Sequence, residues 1–406
     1  MKLKELLQRI KQINYKKVVA VIFLIAVFYI GSVTFPQSAR NVVWLLKGEQ
    51  PGILATIKQI DKDYRDMLEF SDHNLRNKGF YLNFNGLMAR IMGQRYMNDR
   101  VKLANGHLYE LKAKDDPSLA ATQLHKIYDK QKEHGKSFLF VLAPCQDPIY
   151  EDILPVGYSS YSNMNADELL FILGENDVPF LDLREELYID GTSHSDAFFV
   201  TDHHWKPETG LWAYAKIVET LMARGTIKSI DNMYIDVDKF NVKIFPDYFL
   251  GASGKRTGIY FAGVDDFALI TPNFETNLSI NIPSRDIDMQ GEFIDVAIDM
   301  SRIQKDFFNE TPYAAYGHGR PGIIKYRNDT APADLKVLAI GESFAKVPFT
   351  YLPLVFSVCD QLDMRDFTGN FEEYYSEFDP DIVIILVNAN QAVSENTTYD
   401  FFEDVD

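Results

Sequence analysis

Three unbroken apolar runs constrain this chain more than any other feature: SFLFVLAP from Ser137, KVLAIGES from Lys336 and DIVIILVNAN from Asp381. A strand buried on both faces loses the apolar–polar alternation, and runs this short suit strands better than helices. Amphipathic helical segments lie between them. DPSLAATQLHKIYDKQKEHGK (116–136) has a proline near its start and Gly135 at its end, as helices prefer. NADELLFILGENDVPFLDLREEL repeats the order of helix, turn and strand, and KPETGLWAYAKIVETLMARG (206–225) is a further helix with Pro207 early and Gly225 closing it. This alternation predicts an α/β fold with a mostly parallel sheet covered by helices. GFYLNFNGLMARIMG (79–93) and LANGHLYEL read as short strands and turns, and LDMRDF (362–367) as another short strand. Between about 230 and 324 the texture turns rich in Gly, Asn, Thr and aromatics, which predicts an irregular β-rich insertion.

The N-terminus carries a different signal. Lys2, Lys4, Arg9, Lys11, Lys16 and Lys17 precede VVAVIFLIAVFYIGSVTF, 18 uncharged residues from Val18 to Phe35. At about 1.5 Å per residue this nearly spans the roughly 30 Å hydrocarbon core of a membrane. Basic residues before the run predict a cytoplasmic N-terminus and a single-pass anchor at the cell membrane, with everything beyond it outside the cell. A cleaved signal peptide is the alternative reading of the same run. The domain expectation is therefore a basic segment and anchor over 1–40, a helical stalk over 41–78 and an α/β domain over 79–406.

Charge excludes one class of partner. With 41 basic against 58 acidic residues the formal charge is −17, and no basic stripe follows the first seventeen residues, which argues against nucleic acid. Cys145 and Cys359 are too few for a disulfide framework; they could pair or remain buried thiols.

Ligand and catalytic groups of open α/β sheets gather at the carboxyl ends of strands. Ser343, Asn388 with Asn390, and Pro144 fall there. Ser343 follows Gly341 at the entrance to a predicted helix, where it serves either as a nucleophile or as an ordinary helix cap. The other concentration of chemistry is TDHHW, Thr201 to Trp205. In an extended or loop segment residues i and i+2 share a side, so Asp202 and His204 would face together and His203 away. A base held in one tautomer by a carboxylate is what a serine nucleophile needs. The same residues read alternatively as metal ligands, with His194 or His318 as a third, or as structural histidines; no recognised zinc spacing is present.

FFVTDHHWKPETGLWAYAKI resembles the signature of the DHHW protein family, named for the tetrapeptide. That family is similar in turn to the alginate O-acetyltransferases, with a D-x-H-W motif and a downstream G-[DE]-S-F/Y element. YLNFNGLM, FLGASGKRTG, YAAYGHGRPGIIKYRND and LAIGESFAKVPFTYLPLVFSVCDQLDMRDF extend the resemblance from about Gly79 onward. It implies an SGNH-hydrolase-like fold, a three-layer α/β/α with permuted motif order: the catalytic Asp and His precede the serine. Carried over, Ser343 is the nucleophile, His204 the base and Asp202 the orienting acid, with neither cofactor nor metal. Relatives take acetyl groups delivered by a membrane-bound O-acyltransferase and place them on exported polysaccharide.

The implied activity is thus an extracytoplasmic O-acyltransferase or esterase of cell-surface polysaccharide. The alternative is a non-catalytic glycan-binding scaffold of a modification and export complex. The chain departs from the family pattern in having Glu342 where Asp usually precedes the serine, and Asp366 where an aromatic residue is usual. Phe344 is the expected oxyanion amide, and Asn388, Asn390 and Gly319 are further oxyanion or substrate candidates. Arg365 either faces the substrate or pairs with Asp363.

Overall fold

The computed structural model describes Val21, Phe23, Leu24, Ile25, Phe28, residues 78–393 and residues 399–402. The chain divides into two compact units, Met1–Tyr81 and Leu82–Asp406. The five described residues of the N-terminal apolar run are helical and exposed; the rest of the expected anchor, and the expected stalk, lie outside the described residues. No helix among the described residues is long and apolar enough to cross a membrane.

The elements follow the helix–strand rhythm of the sequence. Helix α1 (Lys78–Ile91) leads to three short strands, β1 (Tyr96–Met97), β2 (Arg100–Lys102) and β3 (Leu108–Tyr109), which pair as a small antiparallel sheet. Then come α2 (Ser118–Glu133), β4 (Ser137–Ala143), α3 (Ser162–Glu175), β5 (Phe180–Asp182), α4 (Leu183–Ile189) and α5 (Pro207–Ala223). Strand β6 (Phe240–Phe249), α6 (Ala252–Thr257), β7 (Asp265–Pro272), β8 (Leu278–Ile282), β9 (Ile287–Gly291) and β10 (Ile323–Arg327) follow. The last elements are β11 (Ala333–Gly341), α7 (Lys346–Tyr351), β12 (Phe356–Leu362), α8 (Phe371–Phe378) and β13 (Ile382–Asn388).

Among the described residues, eight strands make the central sheet in the order β5-β4-β13-β11-β12-β10-β8-β9. The first five are parallel, and the last three are added antiparallel. The apolar runs explain the layers. In β4, Leu139, Val141 and Ala143 enter one core while Phe138, Phe140 and Leu142 enter the other. In β13, Ile382, Ile384 and Leu386 alternate in the same way with Val383, Ile385 and Val387. Residues i and i+2 of a strand share a face, so a run apolar at every position buries both faces. Helices α2, α3 and α8 cover one face through Leu124, Leu169 and Phe371; α4, α5 and α7 cover the other through Leu187, Ile217 and Val347. The result is the SGNH-like three-layer arrangement with a mostly parallel sheet.

Three readings of the sequence are corrected. Residues 79–93 form most of α1 rather than strands. The buried positions of this helix are Gly86 and Ala89, one turn apart, and Phe84 is exposed, so the apolar alternation did not mark a buried face. Strand β12 begins at Phe356, and Met364–Asp366 is the turn after it. The strand hides polar residues whose partners are remote in sequence: Asp360 accepts from Arg327 and Tyr374, and Gln361 donates to the Phe349 carbonyl at 2.7 Å. Finally, the stretch 230–324 divides: β6 and β7 make a separate two-stranded sheet, while β8 and β9 extend the main one. Cys145 and Cys359 are free and buried, which resolves the open alternative in favour of thiols.

Candidate active site

The TDHHW stretch is a tight loop closed by an antiparallel bridge between Phe198 and Trp205. Lys206 N–H donates to the Ala197 carbonyl (2.9 Å) and Phe199 N–H to the His204 carbonyl (3.3 Å). Inside the loop Asp202 and His204 meet as expected, with His204 Nδ1 at 2.5 Å from Asp202 Oδ1. The His204 backbone N–H donates to the same oxygen (3.0 Å), and Ala252 N–H donates to Oδ2 (2.6 Å). Burial alone would raise the Asp202 carboxyl. The facing rings of His204 and His203 and the hydrogen bonds it accepts outweigh burial and hold it far below the usual carboxylate range. An anion so placed keeps the proton of a neutral His204 on Nδ1 and leaves Nε2 free to accept. That Nε2 is buried and, among the described residues, has no hydrogen-bond partner.

His203 departs from the extended-chain expectation. Its ring centroid lies 3.9 Å from that of His204, and its Nδ1 lies 3.5 Å from Asp202 Oδ1, because the loop turns tightly instead of running extended. It is the more exposed of the two, with 39% of its side chain open to solvent against 11% for His204. Metal-type donor atoms of Asp202, His203 and His204 lie within 4.8 Å of one another, and this group includes neither His194 nor His318. Both oxygens of Asp202 already accept hydrogen bonds, which suits an orienting carboxylate better than a ligand.

Several residues hold this loop that sequence reasoning did not single out. Gln146, just beyond β4, donates its amide to the carbonyls of Phe199 (3.0 Å) and Asp202 (2.8 Å). Asp265 at the start of β7 accepts from the backbone N–H groups of Val200 and Thr201 and from the Thr201 hydroxyl. Gly251 gives its N–H to that hydroxyl at 2.8 Å. Tyr313 stacks on His204, with centroids 4.3 Å apart and planes at 22°. The faintest of these signals lay in FLGASG, whose glycine admits Asp202 to close quarters.

Ser343 opens the turn after β11, and Trp205 ties that turn to the histidine loop by donating Nε1–H to the Phe344 carbonyl (3.2 Å). The Phe344 ring lies 5.2 Å from His204. Ser343 is part buried, and its hydroxyl donates to Glu342 Oε2 at 2.9 Å, not to His204. Glu342 is 4% exposed and gathers the donors around it. Phe344 N–H donates to Oε2 (3.2 Å), and Asn388 donates to Oε1 from Nδ2 (2.8 Å) and its backbone N–H (3.3 Å). The expected oxyanion donors Phe344 and Asn388 are therefore beside the serine but engaged by Glu342.

The remaining candidates have other partners. Asn390 accepts from the Tyr109 hydroxyl (3.1 Å) and gives its N–H to Asn388 Oδ1 (2.8 Å). Gly319 N–H donates to the Ala314 carbonyl (2.9 Å), so its amide is satisfied. Arg365 grips Asp363 from Nε and Nη2 at 2.8 and 2.6 Å, which makes the pairing, and not a free substrate contact, its observed state. Pro144 ends β4 next to the loop anchor Gln146. A narrow cleft of about 40 Å³ lies against the serine turn, lined by residues that include Gly317, Gly319, Gly322, Glu342, Lys346 and Asp363. Burial pushes the Lys346 ammonium down to about 8, against the opposing pull of Asp363.

A buried carboxylate–imidazole pair thus lies near a serine turn at the carboxyl edge of the parallel sheet. Residues 106–241, which include Asp202 and His204, match the family described as "ALGX: SGNH hydrolase-like domain, acetyltransferase AlgX". PatB1 of Bacillus cereus, solved with a sulfonyl adduct, is similar in structure at a TM-score of 0.59 and 16% identity, over 73% of this chain and 98% of that one. A DHHW family protein from Eubacterium siraeum is similar at a TM-score of 0.55 and 16% identity, over 75% of this chain and 95% of that one. At such identities the likeness is one of fold. No curated protein matches the chain in sequence.

Proposed function

We propose that the chain is an O-acyltransferase, most simply an O-acetyltransferase, or an esterase, acting on exported polysaccharide through Ser343, His204 and Asp202. The observation that carries this reading is the orphaned, buried His204 Nε2 beside the serine turn, with Nδ1 fixed by Asp202. A base prepared in this way and left without a partner fits a proton transfer still to be made. The match to an acetyltransferase domain over 106–241 supports the acyl group's identity.

In this mechanism Ser343 Oγ turns from Glu342 toward His204 and attacks the carbonyl carbon of an acyl ester. Its proton passes to Nε2, and the carbonyl electron pair moves onto oxygen. Collapse of the tetrahedral intermediate breaks the ester C–O bond, and the leaving alkoxide takes the proton from Nε2. A sugar hydroxyl, or water in the esterase case, then attacks the acyl-serine, its proton passing to Nε2 and from there to Ser343 Oγ. The basic N-terminus and the apolar run 18–35 support an anchored enzyme working outside the membrane. In that setting a membrane-bound O-acyltransferase would be the donor.

A second reading has its own observation. Glu342 engages the serine hydroxyl and both neighbouring amide donors, an arrangement equally suited to a non-catalytic glycan-binding scaffold. The full chain, assayed for acetate release from a chromogenic acetyl ester, separates the two. The enzymatic reading expects Ser343→Ala and His204→Ala each to lose activity by at least a hundredfold, and a sulfonyl fluoride to label Ser343. Equal rates in all three proteins, with no label, would leave the scaffold.

A further inference from the structure

A second cleft, of about 360 Å³, is lined by Tyr96, Asp99, Arg100, Glu110, Leu111 and Arg256. Its volume falls in the range of about 300–1,000 Å³ usual for small-ligand sites. Arg100, in its wall, donates to Ser253 Oγ at 3.0 Å, and the adjoining Ala252 gives its N–H to Asp202 Oδ2, so the cleft is tied to the segment that holds the catalytic loop. We infer that this cleft is an acceptor subsite that holds one pyranose unit of the glycan against the Tyr96–Tyr158 platform. The inference rests on the polysaccharide reading above and adds the residues that would select the acceptor.

Three features point to a sugar. Tyr96 and Tyr158 stack nearly parallel, with centroids 6.2 Å apart and planes at 19°, although they stand 45% and 37% exposed. Aromatic pairs are ordinarily placed to bury their faces, so a flat pair left in solvent beside a cleft offers an apolar surface to a ligand. The carbon-bound hydrogens of a pyranose present a matching apolar face. The Tyr96 ring is also fixed in advance, because its hydroxyl donates to Asp99 Oδ1 at 2.9 Å, which lowers the entropy lost on binding.

The polar rim completes the match. Among the described residues the exposed Arg256 guanidinium has no hydrogen bond or ion pair, although Asn98 holds its backbone carbonyl. Arg100, by contrast, is fully engaged by Ser253, the Asp99 carbonyl and Glu110. Arg100 is therefore scaffold, and Arg256 is the donor left for ligand hydroxyls or a sugar carboxylate. Glu110 is held by Arg100 and Lys112 but keeps 43% of its side chain in solvent, so its oxygens retain lone pairs to accept from a ligand. An apolar face flanked by one free donor and one acceptor suits a hydroxylated ring. A lipid chain would leave the Arg256 guanidinium without a partner, and a nucleic acid would need more basic residues than this cleft holds.

The test is a calorimetric titration of the full chain, and of its Ser343→Ala variant, with a panel of neutral, amino-sugar and uronate tetrasaccharides. At least one tetrasaccharide is expected to bind both proteins alike. Tyr96→Ala, Tyr158→Ala and Arg256→Met, checked for an unshifted thermal transition, are expected to weaken that binding at least tenfold. Phe171→Ala, which removes a still more exposed aromatic residue from α3, is expected to leave it unchanged. Arg256 is a surface side chain, so its variant keeps the test informative should a tyrosine variant fold poorly. Binding of no member of the panel, or undiminished binding by the tyrosine and arginine variants, overturns the subsite. Glycan binding that depends on Tyr96, together with ester cleavage equal in wild type and Ser343→Ala, would retain the subsite and reject the enzyme.

Discussion

Asp202 is the residue on which the site turns, because it sets both the tautomer of His204 and the shape of the loop. Asp202→Asn keeps the size but removes the charge, and an amide nitrogen facing His204 Nδ1 favours the wrong tautomer. On the enzymatic reading kcat should fall by roughly four orders of magnitude, the loss such a substitution causes where a carboxylate orients a catalytic histidine. The same carboxyl makes stability depend on pH in a known direction. Its folded pKa is depressed below the ordinary value of about 3.9. Its stabilisation is therefore fully present above about pH 4 and declines as pH falls, since the unfolded chain takes up the proton first. Urea midpoints measured from pH 7 to pH 3 should drop more steeply for wild type than for Asp202→Asn; parallel curves would reject this role. The pair was legible in the sequence because it is local, two residues apart. Glu342 was visible only as a departure from a motif. That it takes the hydroxyl of Ser343 and the donors of Asn388 depends on β11 and β13 lying side by side.

At the scale of elements, the site is a meeting of segments, and the approach to α6 is where they come closest. Gly251 precedes that helix with φ −74°, a conformation open to any residue, so backbone freedom is not why glycine stands there. Space is the reason: a Cβ at this position would come within 2.2 Å of Asp202 Cβ and 2.4 Å of its Oδ2. Gly251→Ala must push the α6 segment away from the loop and loosen the bond from Ala252 N–H. We expect a loss of about 1–3 kcal/mol in stability, typical of overpacking, together with reduced ester cleavage. Chemical denaturation and the acetate assay read the two effects, and a variant matching wild type in both would contradict the contact. Elements whose burial is written in their own residues, such as β4, β11 and β13, were legible from apolar runs alone. Helix α1 was not, since its tight side is a glycine, Gly86, chosen for what it lies against: a Cβ there would sit 2.3 Å from the Thr257 carbonyl oxygen. Strand β12 was obscured because Asp360 and Gln361 are buried on account of partners in other elements.

For the molecule as a whole, one sheet with a core on each face implies that the unit from Leu82 to Asp406 should open as a piece. The two thiols report on this from opposite sides. Cys145 belongs to the core covered by α2, α3 and α8, and Cys359 to the core covered by α4, α5 and α7. Burial pushes the Cys145 thiol up to about 12 and raises that of Cys359 as well, so neither is a reactive thiolate near neutral pH. Because both cores share the strands β4, β13 and β11, exposing either thiol requires loss of the common sheet. Labelling by a thiol reagent in increasing urea should then give the same midpoint for Cys359→Ser, which reports Cys145, as for Cys145→Ser, which reports Cys359, each compared with its own global unfolding curve. Reductant should leave both curves unmoved, since no disulfide joins the pair. Labelling of one thiol well before global unfolding would show that the two layers separate and that the sheet does not bind them into one cooperative unit.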